Sequence, residues 1–248
     1  MKMAILQKFK DIIKKEKSMG IKVKARHIAI TTDGAALWAN NNKKGLEEAY
    51  KKSNLIIKST IKTQIKLNIP ILTLYILPSD LKNLEQFSMI VDSMIELFND
   101  LITNDSIHKN KVKVSVLGKW YDLPGRIVDP IKSLVDGTSD YDNFFVNFCI
   151  NYNGQEEIVD ACKLITRKAL SEKIDIDSIT KDTIKDNIYS SYFLPPDLIV
   201  KNGLIHSNSG LLLWDSVNSK IYFTDKLWPD FGKDEFKKAV EAFEKQNI

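Results

Sequence analysis

The sequence predicts an α/β fold, a twisted, mostly parallel six-stranded sheet surrounded by helices. Two observations predict it. Short apolar runs that end in turn residues alternate with longer stretches of roughly 3.6-residue apolar spacing. That alternation is what a parallel sheet with crossover helices requires. The composition is also globular, since 44% of the 248 residues are hydrophobic and 27% are charged, which excludes wholesale disorder.

The elements follow in order. His27 to Thr32 is a short apolar strand ending in Asp33-Gly34. A helix is expected from about 46 to 67, with Leu46, Tyr50, Ile57, Ile61 and Ile65 near helical spacing, and Ile69-Pro70 breaks it. Ile71 to Leu77 is a buried strand, and Pro78-Ser79-Asp80 turns the chain. Ser79 or Asp80 can cap the next helix, about 82 to 103, whose apolar arc is wide. Val112 to Leu117 is the third strand, 124 to 135 a loop and short helix, and Phe144 to Ile150 the fourth strand. Asn151 to Gly154 is an exit loop, followed by a helix from about 155 to 170. A polar helical stretch at 177–190 leads to Leu194-Pro195-Pro196. Asp197 to Val200 and Ile221 to Phe223 are the last strands, and a helix at about 233–246 carries Phe236, Val240 and Phe243 on one face. Residues 1–25 read as an N-terminal helical segment and 26–248 as a single domain.

Charge and cysteine usage narrow the function classes. The net charge is +4, and only three of the 36 basic residues are arginine: Arg26, Arg126 and Arg167. The lysines are scattered as solvated faces, and runs such as Lys51-Lys52 lack interleaved aromatics, so no nucleic-acid partner is expected. No apolar run approaches the roughly 18 to 20 residues of a membrane span. The N-terminus offers no uninterrupted apolar core of a signal peptide. Cys149 and Cys162 form neither a metal spacing nor a disulfide framework, so a cytoplasmic protein is expected.

The strongest local signal is the strand that ends in Asp33-Gly34, with Trp38 and a helix beyond. Ligands of open α/β sheets bind at the carboxyl ends of strands. A carboxylate there can hold Mg²⁺, and a following helix N-terminus can hold an anion. Alone, such an aspartate is more often a turn or cap residue.

Five segments in order add to this. His27-Ile28-Ala29-Ile30-Thr31-Thr32-Asp33-Gly34, with Trp38-Ala39, resembles HxAxxxDGNxRWA, the opening signature of the cis-prenyltransferases, the undecaprenyl diphosphate synthase family. Asn151 to Gly154 with Glu157-Ile158-Val159 resembles NYGGxxEIV, and Leu194 to Lys201 resembles LPxPDLLIR. Leu211 to Trp214 resembles NFLLWQ, and Tyr222 to Phe231 nearly repeats YFTDxLWPDF. The resemblance implies a hydrophobic tunnel between two helices and the sheet, and a homodimer or heterodimer formed through the C-terminal part. It implies condensation of isopentenyl diphosphate with an allylic diphosphate, assisted by Mg²⁺ at Asp33. Peripheral membrane contact through a lipid product follows as a possibility.

The departures from the pattern are concentrated in charge. Ala35, Ala36 and Leu37 stand where the family has Asn, a small residue and Arg. Leu46 and Tyr50 are nearest to a diphosphate-binding Arg and His. Leu77 to Leu81 replaces FSxEN, and no Arg follows it. For RxxxxxRxS the chain offers Lys201, Ser207 and Ser209, and Lys220 aligns with a Mg²⁺-binding Glu, which implies a weakened metal site. Lys43, Lys44 and Lys201 are the candidates to restore positive charge. The expected site is therefore Asp33, as the catalytic and metal-binding group, with Gly34, Trp38, Lys43, Lys44, Tyr50, Lys201, Ser207 and Ser209 around the substrates. A charge-assisted hydrogen bond contributes roughly 1.5 to 3 kcal/mol, so three lost contacts weaken binding by roughly three to six decades. Three readings result: a prenyltransferase with altered diphosphate recognition, a noncatalytic subunit that pairs with an intact homologue, and a small-molecule binder on the same scaffold.

Overall fold

The computed structural model describes residues 24–83, 85–207 and 209–245. The helical segment expected at 1–25 lies, but for its last two residues, outside them. Six strands form one sheet: β1 (His27–Thr31), β2 (Ile71–Pro78), β3 (Val112–Leu117), β4 (Phe144–Tyr152), β5 (Leu198–Asn202) and β6 (Lys220–Thr224). The order is β3-β4-β2-β1-β5-β6, and every pairing is parallel. All five residues of β1 are buried, as for a strand covered on both faces.

Side chains alternate between two cores. On one face, Ile28, Ile30, Leu72, Leu74, Val146 and Phe148 pack with Ile57, Ile61, Leu97 and Phe98 from the helices. On the other, Ala29, Tyr75, Phe145 and Cys149 pack under Phe193, Leu211 and Leu212. Fully burying one aliphatic or aromatic side chain stabilises by about 1.5–3 kcal/mol, so each face is a large favourable term.

The helices are α1 (Ala35–Asn42), α2 (Leu46–Lys66), α3 (Phe87–Ile102), α4 (Asp105–Lys109), α5 (Gly125–Gly137), α6 (Gly154–Leu170), α7 (Lys181–Lys185) and α8 (Lys233–Lys245). Several depart from expectation. α1 was not anticipated, because its start has no side-chain cap and it buries only Ala35, Trp38 and Ala39. The helix expected from 82 begins at Phe87, because residues 79–83 form a 3₁₀ turn. The stretch 177–190 is α-helical only over Lys181–Lys185, a segment that buries no residue, after a 3₁₀ turn at Ile176–Ser178. β5 runs two residues beyond Val200, and those two residues, Lys201 and Asn202, are buried and build the site.

Candidate active site

β1 and β5 lie side by side, with Ile30 opposite Val200, so their carboxyl ends open at the same place. There the chain leaves in opposite directions, into α1 from β1 and into the 203–210 loop from β5. This is where open α/β sheets bind ligands.

Asn202 joins the two strand ends. Its Oδ1 accepts from the Thr31 hydroxyl and from the Asp33 backbone N–H, both at 3.0 Å. The chain then turns at Gly34 in the left-handed region, φ 102°, where a Cβ would fall 2.7 Å from Leu227 Cδ2. Glycine alone meets both demands without cost. The Asp33 carbonyl accepts from the Trp228 N–H at 2.9 Å, which ties the 225–231 segment to the same corner.

Lys201 is the charged centre of the group. Its side chain is buried, and Nζ donates to Asp33 Oδ2 at 3.0 Å and to Ser209 Oγ at 2.9 Å. Ser209 takes a left-handed φ of 50° in doing so. Ser207 Oγ lies 3.4 Å from Ser209 Oγ, at the exposed edge. Gly154, which opens α6, packs against the carbonyl of Gly210 so closely that no Cβ fits between them, and so the junction of β4 and α6 seats this loop; the exit loop expected at 151–154 is reduced to Asn153, because β4 runs on to Tyr152.

Asp33 and Ser209 stand at the mouth of a cavity of about 730 Å³, within the size range of small-molecule sites. Below the mouth the walls are largely apolar, with Ile57 from α2 and Ile90, Met94 and Leu97 from α3. The apolar arc of α3 therefore serves both core and cavity. Tyr50 is on the wall, and burial raises its phenol above the ordinary value.

Other expected residues lie elsewhere. Trp38 packs inward with Ala35, Ala39 and Ala49, under the Lys52 ammonium at 4.4 Å, and does not line the cavity. Lys43 and Lys44 are exposed beyond α1 and do not line it either, and Lys44 pairs with Glu48 at 3.1 Å. Lys220 is in register with Leu198, at the foot of the sheet, with its ammonium 5.4 Å over the Phe243 ring. Within one chain it is therefore not brought to Asp33. Arg26 is bound to Asp197, Arg126 pairs with Asp92, and Arg167 lines a separate surface hollow beside Asp160. Asp33 and Asp80 are the charged residues on the cavity lining, with no Lys or Arg among the described residues there.

Asn202 was missed by sequence reasoning because the apolar run ends at Val200. Its Nδ2 is buried without a partner among the described residues, leaving a donor at the site. Glu157, which the motif singles out, is a scaffold group instead. It accepts from the Tyr152 hydroxyl at 2.5 Å and the Ser190 N–H at 3.1 Å, and burial raises its carboxyl above the usual range.

No group of three His, Cys, Asp or Glu gathers among the described residues. Mg²⁺ commonly uses one or two carboxylates and completes its shell with substrate phosphates and water. Asp33 fits that part, since its Oδ1 has no protein partner among the described residues and its side chain is 43% exposed.

A family model described as "Putative undecaprenyl diphosphate synthase" matches residues 31–248. The chain belongs to that family. A tritrans,polycis-undecaprenyl-diphosphate synthase (geranylgeranyl-diphosphate specific) of Thermoplasma volcanium is 31% identical, over 89% of this chain and 86% of its own. An isoprenyl transferase of Prochlorococcus marinus subsp. pastoris is 33% identical, over 89% and 81%. The crystal structure of lavandulyl diphosphate synthase from Lavandula x intermedia, in complex with dimethylallyl diphosphate, matches with a TM-score of 0.84. It is 22% identical and the match covers 89% of this chain and 95% of that one, so it shows the shared cis-prenyltransferase fold. No helix of the described residues is long and apolar enough to cross a membrane.

Proposed function

We propose that the chain transfers a prenyl group from an allylic diphosphate to isopentenyl diphosphate, using lysine where the family pattern has arginine. The observation that carries this reading is the buried Lys201 held between Asp33 and Ser209 at the mouth of an apolar cavity. The allylic C–O bond breaks and releases diphosphate, a C–C bond forms to isopentenyl diphosphate, and a proton is lost. Asp33 would hold Mg²⁺, which neutralises the leaving diphosphate. Ser209 binds and orients diphosphate oxygens, the buried Lys201 ammonium holds Asp33 and Ser209 in place behind them, and the unpartnered Asn202 Nδ2 is a further donor. The cavity takes the prenyl chain and keeps water from it. Ser207 contributes at the exposed edge, Tyr50 on the wall, and Gly34 by its turn. Trp38, Lys43 and Lys44 act at most indirectly, through the fold and the surface charge around α1.

The absence of Lys and Arg from the described cavity lining favours a second reading, a noncatalytic subunit that contributes a tunnel to a heteromer. Ile221 and Phe223 lie exposed on the edge strand β6, with Val217 nearby, and support assembly through this region. Trp228 and Phe231, by contrast, are buried in the chain's own core and are not available for it. At the mouth, Leu204 and Ile205 are exposed and suit contact with a membrane that receives the product. The test incubates purified chain, alone and with an intact homologue, with labelled isopentenyl diphosphate, allylic diphosphates and Mg²⁺. Product from the chain alone supports the first reading. Stimulation of the homologue without product from the chain alone supports the second, and no effect in either arm removes both. Light scattering giving a monomer of 28.3 kDa, together with failure to co-purify any homologue, would remove the assembly part.

A further inference from the structure

We infer that Lys185 is a positioning residue, which acts on diphosphate binding through Asp215 and Ser209. This rests on the proposed binding of a diphosphate at Ser209. The backbone that carries Ser209 is unusual. Ser209, Gly210 and Leu212 all lie in the left-handed region, at φ 50°, 72° and 45°. Side chains such as leucine rarely adopt it, and such a conformation persists only where the surroundings over-determine it.

The 209–215 segment is gripped at both ends by the first turn of α6. At the near end, a Cβ on Gly154 would fall 2.3 Å from the Gly210 carbonyl oxygen and 2.7 Å from Leu213 Cβ. At the far end the grip is polar. Asp215, whose side chain is 2% exposed, accepts from Lys185 Nζ at 2.5 Å and from the Ser190 hydroxyl at 2.7 Å. Ser190 in turn donates its backbone N–H at 3.1 Å to Glu157, one turn beyond Gly154, and its carbonyl accepts from Lys185 Nζ at 3.0 Å. Between the two ends, Leu211 and Leu212 are buried.

Lys185 is the cation in this network. Glu157 and Asp215 are both buried and act on each other electrostatically, and the Lys185 ammonium offsets that repulsion. Its removal leaves two buried carboxylates linked through Ser190, and an uncompensated buried charge is costly. The segment that ends in Asp215 relieves it by moving outward, and Ser209 is the other end of that segment. α7 buries no residue, so apolar packing does little to hold it there; Lys185, in its last turn, is what it presents to the interior.

The experiment is a double-mutant cycle on the full chain, read by calorimetry with inorganic diphosphate and Mg²⁺. Lys185→Met and Ser209→Ala are each expected to weaken binding about five-fold, the scale of one hydrogen bond. The double variant is expected to bind no more weakly than Ser209→Ala, and Lys185→Arg to keep the affinity of the unaltered protein. A merely structural role of Lys185 would weaken binding by the same factor with or without the Ser209 hydroxyl. Additive losses, or unchanged affinity in Lys185→Met or in Ser209→Ala, therefore overturn the inference alone. Lys185→Gln carries the cycle if Lys185→Met does not fold. Failure of the unaltered protein to bind diphosphate overturns the proposed function, and this inference with it.

Discussion

Lys201 and Asp33 form an ion pair that is buried on one side only: the lysine side chain is 1% exposed and the aspartate 43%. The two halves therefore differ in what their removal leaves behind. Asp33→Ala strands a buried ammonium with Ser209 as its remaining partner. Lys201→Met keeps the stem volume and leaves a carboxylate that water reaches. Breaking a fully buried pair costs about 3–5 kcal/mol, and the exposure of Asp33 reduces this to about 1–2 kcal/mol. Urea denaturation is expected to show Asp33→Ala as the more destabilised variant. Equal or reversed losses would contradict the burial argument.

His27 makes stability depend on pH. It is buried in β1, its Nδ1 donates to the Leu194 carbonyl at 2.6 Å, and its Nε2 lies 2.8 Å from the Thr73 hydroxyl. Burial lowers its pKa from 6.5 to about 4. Between those values the unfolded chain binds the proton and the folded chain does not. Stability is thus complete above about pH 6.5 and falls as the pH drops toward 4, by an amount on the order of 3 kcal/mol. The denaturation midpoint measured from pH 7 to pH 4 is expected to decline, and the decline to be shallower in His27→Gln. Parallel curves for the two proteins would rule out His27 as the source.

Gly34→Ala tests the corner. The left-handed backbone disfavours alanine, and its methyl would press on Leu227, whose neighbour Trp228 is bound to Asp33. A loss of about 1–3 kcal/mol is expected, together with weaker ligand binding at the mouth. Unaltered stability would show that the 225–231 segment yields without cost.

Leu37→Arg tests the missing charge. Leu37 lines the mouth and is partly exposed, so an arginine there can reach the cavity at little cost to folding. One charge-assisted contact is expected to tighten diphosphate binding about ten-fold or more. Calorimetry with inorganic diphosphate reads this directly, and unchanged affinity would mean that the ligand does not come to this wall.

Much of the fold was legible because β1, β2 and β4 are apolar runs buried on both faces, and such runs stand out from any flanking helix. Asp33 was legible as the residue that ends the first of them. Lys201 entered only through resemblance, since a lysine after an apolar run is ordinarily the point where a strand surfaces. Here the partner carboxylate and Ser209 make its burial tolerable. Asn202 carried no signal, because a polar residue on a helix or strand looks the same whether it faces solvent or a cavity. Trp38 shows the opposite failure. Its motif neighbours line the site, but helical spacing turns its own side chain into the core.

The ion pair at the site joins residues 168 positions apart, and β5 must slot beside β1 to form it. On a ribosome adding 5–20 residues per second, β1 waits roughly 10 to 30 s for that neighbour. Throughout that interval one edge of an apolar strand offers unpaired backbone groups, the usual template for association with another chain. Nascent chains stalled before residue 198 are the species in which a chaperone has most to protect.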